Sequence, residues 1–341
     1  MKAWQVRELG EPRDVMHLED VPDPVAGPGQ LRVRVLGSAA NFPDALMCRG
    51  LYQVRPERPF TPGVELCGEV LETGSGSPGF AVGDRVIGGS VLPHGGFAEE
   101  ALMEAQASFA APAGLDDAQA GGFFIGYQTG WFGLHRRAHL QPGETLLVHA
   151  AAGGVGSAAV QLGKAAGATV IGVVGGPDKA AVARELGADI VVDRHTEDFV
   201  AVVKEATGGR GADVVYDPVG GETYERSTKC IAFEGRILVI GFAGGSIQAP
   251  ALSHALIKNY SVVGLHWGLY ARMDPGAVRE CHAELTRLVD SGVIAPLVSE
   301  RLALEAVAEG VQRLADGSTI GRVAYVAPAS ARHTTVELVT P

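Results

Sequence analysis

The chain has 341 residues, 46% of them hydrophobic, and a formal net charge of −11 from 28 basic and 39 acidic side chains. That length exceeds what one hydrophobic core usually supports, so two domains are expected. An acidic balance with no Lys/Arg run argues against nucleic acid or an anionic membrane surface as the main partner.

No stretch approaches the roughly 20 apolar residues of a membrane span. The opening MKAWQVRELG lacks the apolar core of a secretion signal. Cys48, Cys67, Cys230 and Cys281 form no CxxC pair and read as reduced, buried thiols. These features together predict a cytoplasmic protein. The 47 glycines mark tight turns in a folded enzyme, because no short repeat accompanies them.

Residues 1 to about 120 read as a strand-rich domain. Short β-like runs at 4–6, 31–36, 68–71 and 85–87 alternate with Pro- and Gly-rich turns, the spacing of a small β-barrel. Residues 41–49 predict a short helix with Pro43 in its first turn. Residues 117–140 predict helix, broken by Gln141-Pro142-Gly143. Strand and helix patterns then alternate: helices at 182–186, 197–206 and 224–231, strands at 190–192, 214–216 and 237–240. Such alternation implies a doubly wound parallel sheet. The β-branched run 261–265 reads as its edge strand, an invitation to pair with a second copy, so a homodimer is expected there. Amphipathic helices at 280–290 and 304–314 and a strand at 323–326 follow. The residues from Arg332 onward read as a loose tail.

The most informative stretch begins at the apolar strand 146–148 and turns through Ala151-Ala152-Gly153-Gly154-Val155-Gly156 into a helix ending near Gly167. A second apolar strand, 170–174, stops at Gly175-Gly176. Strand, glycine turn, helix and strand form the unit that holds a dinucleotide. Gly153 admits the pyrophosphate, Gly156 lets helix and strand approach, and the helix N-terminus offers free N–H groups. Ala152, Gly153, Gly154 and Val155 are therefore candidate cofactor residues, although Ala151 replaces the first glycine of the G-x-G-x-x-G pattern. An NAD-preferring site usually carries an acid after the second strand, where Gly175 and Gly176 stand here. Lys179 and Arg194 can instead supply charge to a 2′-phosphate, which points to NADPH. The competing reading makes both of them solvated surface cations.

Several segments carry a family likeness. AANFPDALMCRGLYQ (39–53), PFTPGVELCGEV (59–70), GDRVIG (83–88), GGFAEE (95–100), AAGGVG (151–156), DPVGG (217–221) and KNYSVVGLHWG (258–268) closely resemble zinc-independent, zeta-crystallin-like quinone oxidoreductases of the medium-chain dehydrogenase/reductase superfamily. The likeness spans about residues 1–327, in order. It implies an α/β fold in which a Rossmann doubly wound parallel sheet is inserted into a GroES-like β-rich catalytic domain. The expected division is 1–122 GroES-like, 123–265 Rossmann, 266–327 a return to the catalytic domain, and 328–341 a C-terminal tail. It also implies NADPH as cofactor and a quinone or α,β-unsaturated carbonyl as acceptor.

Zinc-dependent relatives place Cys where Asn41 lies and Gly-His-Glu where this chain has Gly63-Val64-Glu65. Two of the ligands a catalytic zinc requires are therefore missing, and no metal is expected. His135 and His139, four apart and flanking Arg136-Arg137, read as a solvated helix face.

The same likeness implies the remaining site residues. Thr129, Phe242, Ala243, His266 and Trp267 match positions that run along the cofactor, with core packing the alternative for the two aromatics. Asn41, Asp44 and Tyr52 match the catalytic pocket. Asn41 would hydrogen-bond the carboxamide or a substrate carbonyl, Asp44 would orient it, and Tyr52 would donate toward a developing oxyanion. The competing reading has Asn41 and Asp44 capping the 41–49 helix. Tyr127 could also reach the pocket. Three functions fit these residues: an NADPH:quinone reductase, an enoyl or 2-alkenal reductase using the same pocket, and a non-catalytic NADPH-binding sensor.

Overall fold

A computed structural model describes residues 1–328, so the expected tail from Arg332 lies outside the described residues. The strands are β1 (Lys2–Val6), β2 (Met16–Asp20), β3 (Gln30–Ala39), β4 (Glu65–Thr73), β5 (Arg85–Gly89), β6 (Glu100–Glu104), β7 (Phe109–Ala110), β8 (Thr145–His149), β9 (Thr169–Val174), β10 (Ile190–Asp193), β11 (Ala212–Asp217), β12 (Ile231–Val239), β13 (Ser261–Gly264), β14 (Val298–Leu302) and β15 (Arg322–Val326). The helices are α1 (Pro12–Val15), α2 (Phe42–Cys48), α3 (Asp117–Gly121), α4 (Phe124–Trp131), α5 (Gly154–Ala165), α6 (Pro177–Glu185), α7 (Phe199–Ala206), α8 (Glu222–Ser227), α9 (Leu252–Lys258), α10 (Gly268–Met273), α11 (Pro275–Asp290) and α12 (Val307–Ala315).

Six parallel strands form one sheet in the order β10-β9-β8-β11-β12-β13. The order reverses direction at β8, so a crevice opens beyond the carboxyl ends of β8 and β11, where a dinucleotide lies in this class of sheet. β8 is buried along its whole length, as a central strand covered on both faces must be.

The second sheet is mainly antiparallel, in the order β14-β15-β3-β4-β5-β7, with β6 pairing to β3 as well. Its apolar face closes over Val33, Val35, Leu66, Phe60 and Phe97. α11 packs against α4, and its Val278, Cys281 and Leu285 are buried beside Phe124 and Tyr127. The chain re-enters the β-rich sheet only at β14 and β15. Both sheets, the parallel one and the GroES-like one, thus appear as expected from the sequence.

Two local expectations need correction. The helix expected at 224–231 is α8, which ends at Ser227, and Ile231 already belongs to β12, where it pairs with Ala212. The short helices α9 and α10 were not anticipated; neither buries a residue, so the apolar side chains they carry mark no core-facing stripe.

Candidate active site

The glycine-rich turn ends β8 and Gly153 caps α5. A Cβ on Gly156 would sit 2.0 Å from the carbonyl oxygen of Ala150, so only glycine lets α5 start this close to the strand. Ala152 is buried and its carbonyl accepts from Gly321 N at 2.7 Å, which joins the turn to the residue before β15. A Cβ on Gly154 would lie 2.8 Å from Arg322 Nη1, so a guanidinium sits directly against the turn's backbone. Val155 is half-buried behind it.

Arg322 is the centre of the site, and the sequence reading did not single it out. It is 5% exposed and pairs with Glu65, which is fully buried on β4. Its Nη1 donates to Asn41 Oδ1 at 3.0 Å. Burial draws its pKa down to about 10, which still leaves a cation at neutral pH. Glu65 Oε2 accepts from Ile125 N at the start of α4 at 2.8 Å, and Oε1 accepts from Asn41 Nδ2 at 2.9 Å. A single buried network therefore ties β4, β15, α2, α4 and the glycine-rich turn together.

Asn41 lies at the N-terminus of α2. Both amide hydrogens are committed, one to Glu65 and one to Ala39 O at 3.1 Å, while Oδ1 accepts from Arg322 and, with Asp44, forms the capping box of α2. Donation by this amide to a further acceptor would require breaking a buried bond. Asp44 does not orient this amide as expected: its Oδ2 accepts from the backbone N of Asn41 at 2.8 Å, and Glu65 holds the side chain instead. Asp44 Oδ1 accepts from Gly63 N at 2.8 Å and Val64 N at 3.2 Å, so this carboxylate staples the loop before β4 onto α2. Burial pushes its pKa up to about 6, against the pull of those N–H groups. Tyr52 is half-buried on the β-rich core, and burial followed by the charge of Asp44 raises its pKa.

At the other end of the crevice, Gly176 has φ +96° and donates to Asp193 Oδ1 at 2.9 Å. A Cβ on Gly175 would meet His195 Nε2 at 2.9 Å and Arg194 Nε at 3.0 Å, so an imidazole and a guanidinium both crowd that glycine. His195 is a member of this corner that the sequence reading missed. Lys179 Nζ donates to Gly317 O at 2.8 Å, and burial together with Arg194 lowers its pKa.

Thr129 is buried on α4 beside Gln128, whose Oε1 accepts from Trp267 Nε1 at 3.0 Å. Trp267 also meets Phe124 edge-on at 5.2 Å, so the segment after β13 is pinned to α4, and His266 beside it is exposed. Ala243 N donates to Pro218 O at 3.0 Å, which folds the Phe242 loop over the end of β11. Tyr127 does not reach the pocket; its hydroxyl accepts from Gln161 Nε2 at 2.9 Å within the core.

These contacts fit a dinucleotide. A glycine turn with a helix N-terminus, a buried guanidinium against its backbone, and a glycine corner flanked by Arg194 and His195 suit a diphosphate and a 2′-phosphate. Among the described residues, no group of three His, Cys, Asp or Glu side chains could hold a metal ion.

This pairing of sheets, with the crevice between them, defines the medium-chain dehydrogenase/reductase class. Residues 27–115 match the alcohol dehydrogenase GroES-like domain family, and residues 154–283 match the family described as zinc-binding dehydrogenase. A quinone oxidoreductase-like protein 2 homolog from Nematostella vectensis is 38% identical over 327 residues, covering 94% of this chain and 88% of that protein. The crystal structure of Escherichia coli quinone oxidoreductase complexed with NADPH superposes with a TM-score of 0.88 at 31% identity, covering 96% of this chain and 100% of that one. A quinone oxidoreductase from Pseudomonas syringae pv. Tomato DC3000 gives a TM-score of 0.88 at 32% identity, with 96% and 99% covered. The chain belongs to the quinone oxidoreductase-like, zeta-crystallin-like family of medium-chain dehydrogenases/reductases.

Proposed function

We propose that this protein is an NADPH-dependent oxidoreductase that reduces a quinone without a metal. The observation that carries the reading is Arg322, one buried cation shared between the glycine-rich turn and the amide of Asn41. It couples the place where a diphosphate binds to the place where a carboxamide would be oriented. The relatives' names and the NADPH bound in the Escherichia coli enzyme support the choice of cofactor and acceptor.

When bound, the dihydronicotinamide supplies a hydride to an electron-poor carbon of the acceptor. Ala152 to Val155 would hold the diphosphate; Gly175, Gly176, Lys179 and Arg194, with His195, would hold the 2′-phosphate. Thr129, Phe242, Ala243, His266 and Trp267 would flank the nicotinamide half. Asn41 would hydrogen-bond the carboxamide, Asp44 would hold the loop that carries Gly63, and Tyr52 would donate to the acceptor's oxygen as charge develops there.

The protein acts in this reading as a homodimer joined through β13. Val262 is exposed on that unpaired edge, and Leu252, Leu256 and Ile257 of the neighbouring α9 are all more than 70% exposed. We place the reaction in the cytoplasm. The four free, buried cysteines suit a reducing compartment, and among the described residues no helix is long and apolar enough to cross a membrane.

The test is side-by-side oxidation of NADPH and NADH with 1,4-benzoquinone, 9,10-phenanthrenequinone, a 2-alkenal and crotonyl-CoA. Quinone turnover with NADPH preference, reduced in Tyr52→Phe, supports the reading. Turnover confined to the alkenal or the thioester moves the protein to the activated C=C reductases. Tight NADPH binding without turnover makes it a sensor.

A further inference from the structure

The loop between α2 and β4 carries a feature that hydride transfer to a small quinone does not use. Its far end is bonded to Asp44, and its near end lies within reach of that carboxylate's charge. Tyr52 feels the carboxylate's charge, and Gly63 N donates to Oδ1 at 2.8 Å. Residues 53–62 therefore leave the candidate pocket and return to it.

On the outer half of this excursion, Arg55, Pro56, Glu57 and Arg58 line an open cavity of about 590 Å³ together with Arg7 from the end of β1. Arg7 stands there because Val6 and Phe60 exchange backbone hydrogen bonds at 2.8 and 3.2 Å. Its own charge is answered by Glu19, which it grips with two bonds of 3.0 and 2.7 Å. Arg55 and Arg58 are exposed and, among the described residues, have neither an ion-pair nor a hydrogen-bond partner. Glu57 is the one carboxylate among the lining residues. In a chain of net charge −11, this leaves a local cationic surface beside the pocket.

We propose that this cavity binds an anionic group tethered to the electron acceptor: a phosphate, sulfonate or carboxylate carried outside the pocket while the reacting carbon lies inside. The inference rests on the oxidoreductase reading of the pocket and names the class of acceptor that it takes. Arg55 is three residues from Tyr52, no more than about 10 Å of chain, so a short linker spans the two. Guanidinium groups present a planar fork of donors that matches such oxyanions, and two arginines against the single carboxylate of Glu57 leave a net positive charge that raises the local concentration of an anionic acceptor.

The experiment uses the full chain and matched acceptors that share a reacting core. One pair is 1,4-naphthoquinone and its 2-sulfonate; the other is crotonyl N-acetylcysteamine and crotonyl-CoA. Each is measured with wild type and with Arg55→Ala/Arg58→Ala. The expected result is a rise in KM of about tenfold or more for an anionic member, equal to about 1.4 kcal/mol. Neutral members should not change, and high salt should erase the difference for wild type. The pair that shows the effect identifies the source, a small anionic quinone or a phosphate-bearing thioester. Charge reversal at Arg55 should deepen the loss. Identical wild-type and variant KM values for both anionic acceptors would overturn the proposal. Calorimetric binding of the sulfonate to each protein decides the matter if nothing turns over: weaker binding by the variant sustains the anion site while the quinone reductase reading fails, and equal binding sinks it.

Discussion

Arg322 donates from Nη1 to the amide oxygen of Asn41 at 3.0 Å across 281 positions of sequence. The same side chain pairs with Glu65 and presses on the backbone of Gly154. One cation at the start of β15 therefore sets the amide's direction, neutralises a buried carboxylate and places positive charge under the turn. The return of the chain to the β-rich sheet does more than complete that sheet. It delivers the residue that links Asn41 and Glu65 to the glycine-rich turn.

Removing that cation should be expensive. Arg322→Met leaves Glu65 fully buried without its partner, and breaking one side of a buried pair costs about 3–5 kcal/mol. Replacing both sides by apolar residues, Glu65→Leu with Arg322→Met, removes the stranded charge and should recover much of that loss. Urea unfolding of the two single variants and the double variant reads the coupling directly. A double variant with losses that simply add would show that the two residues do not act as a unit.

The contrast with what the sequence disclosed is physical. The glycine-rich turn was legible because its signal is local: strand, turn and helix lie within a few residues, and Gly156 sits where no other side chain fits. Asn41, Asp44 and Tyr52 were found by motif likeness, yet their partners were not. Asn41's amide answers to Glu65 and Arg322, contacts that only the completed sheet creates. Glu65 looked like part of a zinc motif that had lost its other members, and its actual work is to balance Arg322. α9 hid for a different reason: Leu252, Leu256 and Ile257 are apolar but face outward, so the usual link between apolar spacing and burial fails there.

Cofactor preference should follow the charge around Gly175. Lys179→Glu places an anion where Arg194 and His195 converge, and a charge-assisted hydrogen bond is worth about 1.5–3 kcal/mol. The expected outcome is a roughly 10- to 100-fold fall in kcat/KM for NADPH, with NADH unchanged. One of the three N–H donors of Lys179 is held by Gly317 O, which leaves the other two for a 2′-phosphate. Equal losses with both cofactors would remove Lys179 from the discrimination.

Asp44 gives a pH signature. Its folded-state pKa, about 6, stands above the ordinary value of 3.8, so the folded protein holds this proton more tightly than the unfolded chain. The group's contribution is therefore fully present below about pH 4, declines as pH rises to about 6, and is flat above that. The total is on the order of 3 kcal/mol. Asp44→Asn should remove this slope, so the stability difference between wild type and variant should change between pH 4 and 6 and hold steady from 6 to 8. Urea midpoints taken across that range measure it. A difference that stays constant from pH 4 to 8 would mean that Asp44 does not titrate as its burial implies.

The edge of the parallel sheet is the last test. Val262 projects from β13, and Leu256 lies on the adjoining helix, so a second copy pairing there would bury both. Lysine at an edge position is a natural barrier to strand pairing, because pairing would desolvate its charge. Val262→Lys combined with Leu256→Lys should convert the proposed β13-joined dimer to a monomer at micromolar concentration, read by analytical ultracentrifugation. Asn41, Glu65 and Arg322 do not touch this edge, so the monomer should still bind NADPH. A wild-type protein that sediments as a monomer, or a double variant that still dimerises, would place the subunit contact elsewhere and leave the apolar face of α9 to another partner.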